Sequence, residues 1–224
     1  MRIKWLSHAG FAIEFQEKKI LIDPWLTGNP LAKDKPEDFK EIDLILVTHD
    51  HGDHLGDSIR IAKESGATFI SIYELSEYAS SQGVKNIIGM NIGGTVEVNG
   101  IYITMVPAIH SASRGSPVGY VIRGENEKSI YHAGDTALFS DMQIIGEIYS
   151  PKIALLPIGG YYTMGPMEAA KAVELIKPEV VIPMHYNTFP VIQQDPNEFA
   201  RLVKDKMPEV KVMILEVGEW TTIN

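Results

Sequence analysis

The chain has 224 residues, 45% of them apolar, with 20 basic against 29 acidic side chains, a formal net charge of −9 and no cysteine. This length supports a hydrophobic core without staples and sets one domain, residues 1–224, as the default organisation. The missing cysteine excludes disulfides, thiolate metal ligands, iron–sulfur clusters and a thiol nucleophile. The acidic balance disfavours a nucleic-acid partner. No apolar run approaches the ~18 residues of a membrane span. His8 and Gly10 interrupt any signal-peptide core, so a cytoplasmic location is expected.

Residues 2–7, 11–15 and 19–22 are short apolar runs separated by Gly10 and the Glu17-Lys18 pair, and they read as hairpin-linked strands. Asp23-Pro24 stops the third run, and a loop with Gly28, Asn29, Pro30 and Pro36 follows. Residues 43–48 read as a buried strand. Residues 54–65 read as a helix with Leu55, Ile59 and Ala62 on one face and Gly66 past its end. A strand over 67–72, a helix over 74–82 closed by Gly83, and strands over 86–90, 95–98 and 101–106 come next. Asn99-Gly100 marks a two-residue hairpin between the last two. Strands are expected over 118–123 and 128–131 with a turn at Gly124, then a helix over 142–149 and a strand over 153–157. Pro166 opens a helix that Pro178 ends, spanning 166–177. Strands over 180–183 and 211–216 flank a helix over 196–206. Strands with interspersed helices and opening hairpins indicate an α/β protein with mixed sheets.

The densest chemistry lies in Thr48-His49-Asp50-His51-Gly52-Asp53-His54, between a buried strand and a helix. Neutral imidazoles and carboxylates suit zinc and other divalent first-row metals. Gly52 permits a tight turn that aims several of these side chains to one side. His110, Asp135 and His185 each follow a predicted strand, where open α/β sheets place their sites. Singly each is weak; their common position and the first motif strengthen one another.

The series H-x-H-x-D-H, then His110, Asp135 and His185, resembles the metallo-β-lactamase superfamily across nearly the whole chain. Ser7-His8-Ala9-Gly10, His132-Ala133-Gly134-Asp135-Thr136 and Pro183-Met184-His185-Tyr186 are similar to the small metal-dependent hydrolases related to L-ascorbate-6-phosphate lactonase. The His8-Ala9 and Asp23-Pro24 pairs are also similar to the N-acyl-phosphatidylethanolamine phospholipase D branch. The resemblance implies a four-layer αββα sandwich, two mixed β-sheets and a dinuclear site at one edge. It assigns His49, His51 and His110 to one metal, Asp53, His54 and His185 to the other, and Asp135 as the bridge. Two divalent ions are implied, zinc first, with manganese, iron or nickel suiting the same donors. Relatives that reduce oxygen at a di-iron centre carry an acidic residue where this chain has His51, which favours hydrolysis.

The implied activity is hydrolysis of a small-molecule ester, lactone or phosphate-bearing substrate by a metal-bridged hydroxide, with Asp53 both ligand and hydrogen-bond acceptor. His8 is read as a pocket residue, a proton shuttle or substrate ligand, against a plain structural hydrogen bond. Asp23 is either a carboxylate orienting the ligand loop or an Asx turn ending its strand. His132 is either a support for the site or a buried ring. Arg114 either binds a substrate anion or is solvated, and Tyr186 either meets substrate or packs. Gly159-Gly160-Tyr161-Tyr162 reads as a rim loop. A phosphodiesterase or nuclease, or a non-catalytic metal-bound sensor, are the competing readings. Self-association into a homo-oligomer is common among similar enzymes.

Overall fold

A computed structural model describes residues 1–125 and 128–223. The chain forms two compact units, one from Met1–Gly94, Ser111–Pro117 and Leu215–Asn224, the other from Thr95–His110 and Val118–Ile214. Each is built on a seven-stranded mixed sheet.

The first unit opens with β1 (Arg2–Ser7), β2 (Gly10–Phe15) and β3 (Lys18–Ile22), joined as antiparallel hairpins. β4 (Leu44–Leu46), β5 (Thr68–Ile72) and β6 (Ile87–Met90) then add in parallel. These three strands need crossovers: a long loop with one 3-10 turn leads from β3 to β4, and helices supply the next two. The expected helix over 54–65 is in fact two, α1 (Gly52–Leu55) and α2 (Ser58–Ser65). Gly56 breaks it at φ +41°, where a Cβ would lie 2.6 Å from Trp25 Cα. At the break the Asp57 carboxylate turns to the loop after β3, accepting from the Leu26 and Thr27 amides and the Thr27 hydroxyl at 2.7–2.9 Å. The periodicity survives the break, so sequence pattern alone does not reveal it. α3 (Tyr73–Ser81) packs on β5 and β6.

In the second unit β7 (Thr95–Val98), β8 (Ile101–Pro107) and β9 (Val118–Arg123) form an antiparallel meander. Asn99 and Gly100 both take positive φ, 53° and 79°, as a two-residue hairpin turn requires. The turn expected at Gly124 leads into residues 126–127, outside the described residues. The next strand is β10 (Ile130–His132), two residues later than expected, so His132 belongs to the strand itself. α4 (Met142–Tyr149), β11 (Ile153–Pro157), α5 (Pro166–Ile176), β12 (Val180–Met184) and α6 (Pro196–Lys206) alternate. β10, β11 and β12 are parallel. The strand expected over 211–216 is only β13 (Lys211–Val212), paired with β12. The chain then returns to the first unit, where β14 (Trp220–Thr222) pairs antiparallel with β1, a strand the sequence pattern missed. Among the described residues no helix is long and apolar enough to cross a membrane.

Strand direction decides where chemistry gathers. β1, β3 and β4 run the same way, so Ser7-His8, Asp23 and Thr48-His49 leave one edge of the first sheet. β8, β10, β11 and β12 also share a direction, so His110, Asp135, Gly159 and His185 follow one edge of the second.

Helix packing sets a hard limit at Gly146. A Cβ there would lie 2.7 Å from the Ile176 carbonyl oxygen and 2.9 Å from Ile176 Cα, where α4 meets the end of α5. Overpacking costs about 1–3 kcal/mol, against a helix-propensity gain of about 1 kcal/mol for replacing glycine. Gly146→Ala is therefore expected to lose up to about 2 kcal/mol in denaturant unfolding. Equal or greater stability would mean that α4 shifts away at no cost.

Candidate metal centre

The first unit gathers its histidines around a buried carboxylate. Asp23 follows β3 with φ +44° and is fully buried. Its Oδ1 accepts from the Thr48 amide at 2.8 Å, and its Oδ2 accepts from the Thr48 hydroxyl at 2.6 Å. His54 Nδ1 lies 2.7 Å from the same Oδ2. An ionised carboxylate only accepts, so His54 Nδ1 carries the proton and its Nε2 presents a lone pair. The Thr48 hydroxyl proton is committed to Asp23. His49 Nδ1, 3.0 Å from Thr48 Oγ1, must therefore donate to that oxygen. His49 Nε2 is then also a lone-pair donor to a cation.

His51 Nδ1 faces His49 Nε2 at 2.9 Å. Two imidazoles on one tetrahedral ion at ~2.0–2.1 Å would hold their nitrogens ~3.3 Å apart. The pair is thus within a few tenths of an ångström of a shared site, and one divalent ion can replace the proton between them. His8 Nε2 lies 3.0 Å from Asp53 Oδ2. One ligand atom each of His8, Asp53 and His54 lie within 4.8 Å of one another. His8 is fully buried, with φ +55°; its carbonyl accepts from Trp5 Nε1 at 2.9 Å, and its ring meets Trp25 edge-on at 5.2 Å.

In the second unit Asp135 is the hub. Its Oδ2 lies 3.0 Å from His185 Nε2 and 3.5 Å from His110 Nε2. His132 Nδ1 accepts from the Gly134 amide at 3.1 Å, so the His132 ring braces the turn that delivers Asp135. His185 has φ +57°, left-handed backbone that costs a non-glycine residue of order 1 kcal/mol. Gly159 fits against it: a Cβ would lie 2.4 Å from the His185 carbonyl oxygen. Tyr186 is buried. Burial pushes the pKa of Tyr131, one residue before His132, well above the ordinary phenol range.

Arg114, partly exposed, is paired with a carboxylate of the protein itself. Its Nη1 donates to Asp50 Oδ2 at 3.0 Å, the Ser113 amide donates to Asp50 Oδ1 at 2.8 Å, and the guanidinium lies 4.0 Å over the Tyr78 ring. Asp50, between His49 and His51 in sequence, has a buried side chain. Neither Asp50 nor Thr48 was singled out from the sequence. The signal for both was their position inside the histidine motif, where a second polar side chain has to find a partner.

Residues 18–186 match the model of a family described as the Beta-lactamase superfamily domain. A UPF0173 metal-dependent hydrolase of Methanopyrus kandleri is 58% identical over 98% of both chains, and one of Pyrococcus horikoshii is 55% identical over the same shares. Igni18, described as a novel metallo hydrolase of Ignicoccus hospitalis, has a solved structure that matches with TM-score 0.94 at 44% identity, covering 100% of this chain and 98% of that one. An isothiocyanate hydrolase from Delia radicum gut bacteria matches in fold with TM-score 0.82 at 21% identity, covering 100% of this chain and 99% of that one. The architecture is thus the metallo-β-lactamase fold, with two mixed sheets and flanking helices.

The Arg114 clamp is measurable without a substrate. Hydrogen bonds to charged groups contribute about 1.5–3 kcal/mol, but the Arg114 side chain is 43% exposed and solvent screening reduces that. Arg114→Ala is expected to lose about 1 kcal/mol in thermal unfolding and to weaken divalent-ion retention in a chelator titration. Unchanged values in both would mean that Asp50 is held by the Ser113 amide alone.

Proposed function

The chain belongs to the beta-lactamase superfamily as a metal-dependent hydrolase, and on that premise we propose that it holds two divalent ions and hydrolyses a small-molecule ester, lactone or phosphate-bearing substrate. The proposed ligands are His49, His51 and His110 for one ion and Asp53, His54 and His185 for the other, with Asp135 bridging. A carboxylate has two oxygens to offer two ions, which a neutral imidazole lacks. Zinc is the first choice; manganese, iron and nickel suit the same nitrogen and oxygen donors.

One observation carries this reading. The Asp23 carboxylate fixes the protons of His54 and, through Thr48, of His49, so both Nε2 atoms are left as lone pairs. A fold that used these rings only as packing would not need their tautomers set by one buried anion. This is the carboxylate–histidine support that metal ligands carry.

When bound, the ions supply a water activated at neutral pH and polarise the substrate oxygen. The chain's own residues do the rest. Asp53 would accept a hydrogen bond from the attacking water and orient it. His8, whose Nε2 is 3.0 Å from Asp53 Oδ2, passes a proton to the leaving group. His132 and Gly159 hold the Asp135 and His185 loops in place. Arg114 and the Ser113 amide hold Asp50 between the two leading histidines.

Elemental analysis of metal-loaded protein is expected to find near two equivalents of divalent ion per chain. Asp135→Ala is expected to lose paired occupancy and most hydrolytic turnover while keeping its circular dichroism. Normal metal content and turnover in that variant would put the bridge elsewhere.

His8→Ala is expected to keep both ions and lose turnover by ~10²-fold, the low end for general acid–base catalysis. Metal content and turnover are to be read on one preparation. Loss of an ion would make His8 a ligand. Full turnover would make it structural.

A further inference from the structure

The loop from Ile158 to Gly165, between β11 and α5, is fastened to the loops that carry Asp135 and His185. The Ile158 amide donates to the Met184 carbonyl at 3.0 Å, and Gly159 lies flat against His185. The Met164 amide donates to the Thr136 carbonyl at 3.0 Å, one residue beyond Asp135. The Gly160 amide closes the loop on the Met164 carbonyl at 3.0 Å, with Gly160 at φ +84°. Met164 is buried beneath. Between these fixed points stand Tyr161 and Tyr162, 68% and 52% exposed, their rings edge-to-face at 4.8 Å.

Thr136 carries a second apolar group. Its hydroxyl oxygen accepts from the Ile109 amide at 2.9 Å, and the Ile109 carbonyl accepts from the Ala137 amide at 3.0 Å. Ile109 precedes His110 and is 54% exposed. The strand-end segments 107–110, 133–137, 158–165 and 185–192 contain no Lys, Arg or Glu, and their only ionisable side chains besides the tyrosines are His110, Asp135 and His185. Arg114, the cation just beyond His110, is committed to Asp50 and Tyr78.

Exposed aromatic rings held on a rigid loop beside ligands are unfavourable in water unless they meet an apolar partner. A polyanionic substrate needs cations at the rim, and these four segments supply none. We infer that Tyr161 and Tyr162, with Ile109, form a specificity surface for a neutral substrate bearing an aromatic or other apolar group next to the hydrolysed bond. The inference rests on the metal-centre reading above and narrows it, away from phosphate-bearing sugars and towards apolar esters and lactones. The tyrosines act by stacking, so their hydroxyls are dispensable.

The test compares phenylphosphonate with methylphosphonate, one anion head with and without a ring, by calorimetry on metal-loaded protein. The wild type is expected to bind the phenyl compound about tenfold tighter, the fold-change for ~60 Å² of apolar surface at ~25 cal/mol per Å². Tyr161→Ala/Tyr162→Ala should lose this preference and leave methylphosphonate affinity unchanged. Tyr161→Phe/Tyr162→Phe should retain it. Equal affinities in the wild type, a preference that survives the double alanine change, or no binding of either compound to protein with its ions in place would overturn the inference. Metal content of the same preparation separates the two levels: protein that retains no ion after loading brings down the metal centre, and the inference with it.

Discussion

The carboxylate of Asp23 is the anchor on which the first half of the site depends. An unpaired buried carboxylate is costly, and this one is compensated by an amide, a hydroxyl and an imidazole within 2.8 Å. The compensation has a chemical consequence. A threonine hydroxyl has one proton to give, and giving it to Asp23 forces His49 to supply its own. One anion thereby sets the tautomers of two rings on different elements, His49 after β4 and His54 on α1. The connection from Asp23 to α2 shows the same economy, since Asp57 gathers three donors from Leu26 and Thr27 at the point where Gly56 interrupts the helix.

Parallel strands explain why so few residues suffice. A parallel pair delivers successive chain segments to one edge, and each segment adds one or two functional side chains there. The price is local geometry that ordinary residues dislike. Ser7, the last residue of β1, and His8, Asp23 and His185, each directly after its strand, all sit at positive φ. Strain of this kind persists only where surrounding structure fixes it. Here the fixing groups are visible: Trp5 Nε1 on the His8 carbonyl, the Thr48 amide on Asp23, and the close approach of Gly159 to His185.

Charge is distributed unevenly between surface and site. The chain is acidic overall, yet many of its acidic groups are paired on the surface, as in Arg60 with Glu37 and Glu64 or Lys128 and Lys152 with Glu179. Glu179 is held below its ordinary range by those lysine hydrogen bonds. Such exposed pairs contribute little to stability. The strand-end segments 107–110, 133–137, 158–165 and 185–192 of the second sheet, by contrast, carry histidine, aspartate and apolar groups and no Lys or Arg.

Much of this was legible in the sequence. Periodicity and glycine or proline punctuation located nearly every strand and helix, because those signals are local and the residues concerned pack on near neighbours. The histidine motif announced metal chemistry for the same reason, since its donors are spaced by one turn of chain. The sequence was silent wherever the deciding partner is remote along the chain. The break at Gly56 depends on Trp25, the pairing of β14 depends on β1, and the hold on Asp50 comes from Ser113 and Arg114, more than sixty residues away (|i−j| of 63 and 64). Residue type gave Arg114 an anion to bind; only the tertiary structure could decide that the anion is the protein's own Asp50, because an ion pair is selected by distance in space.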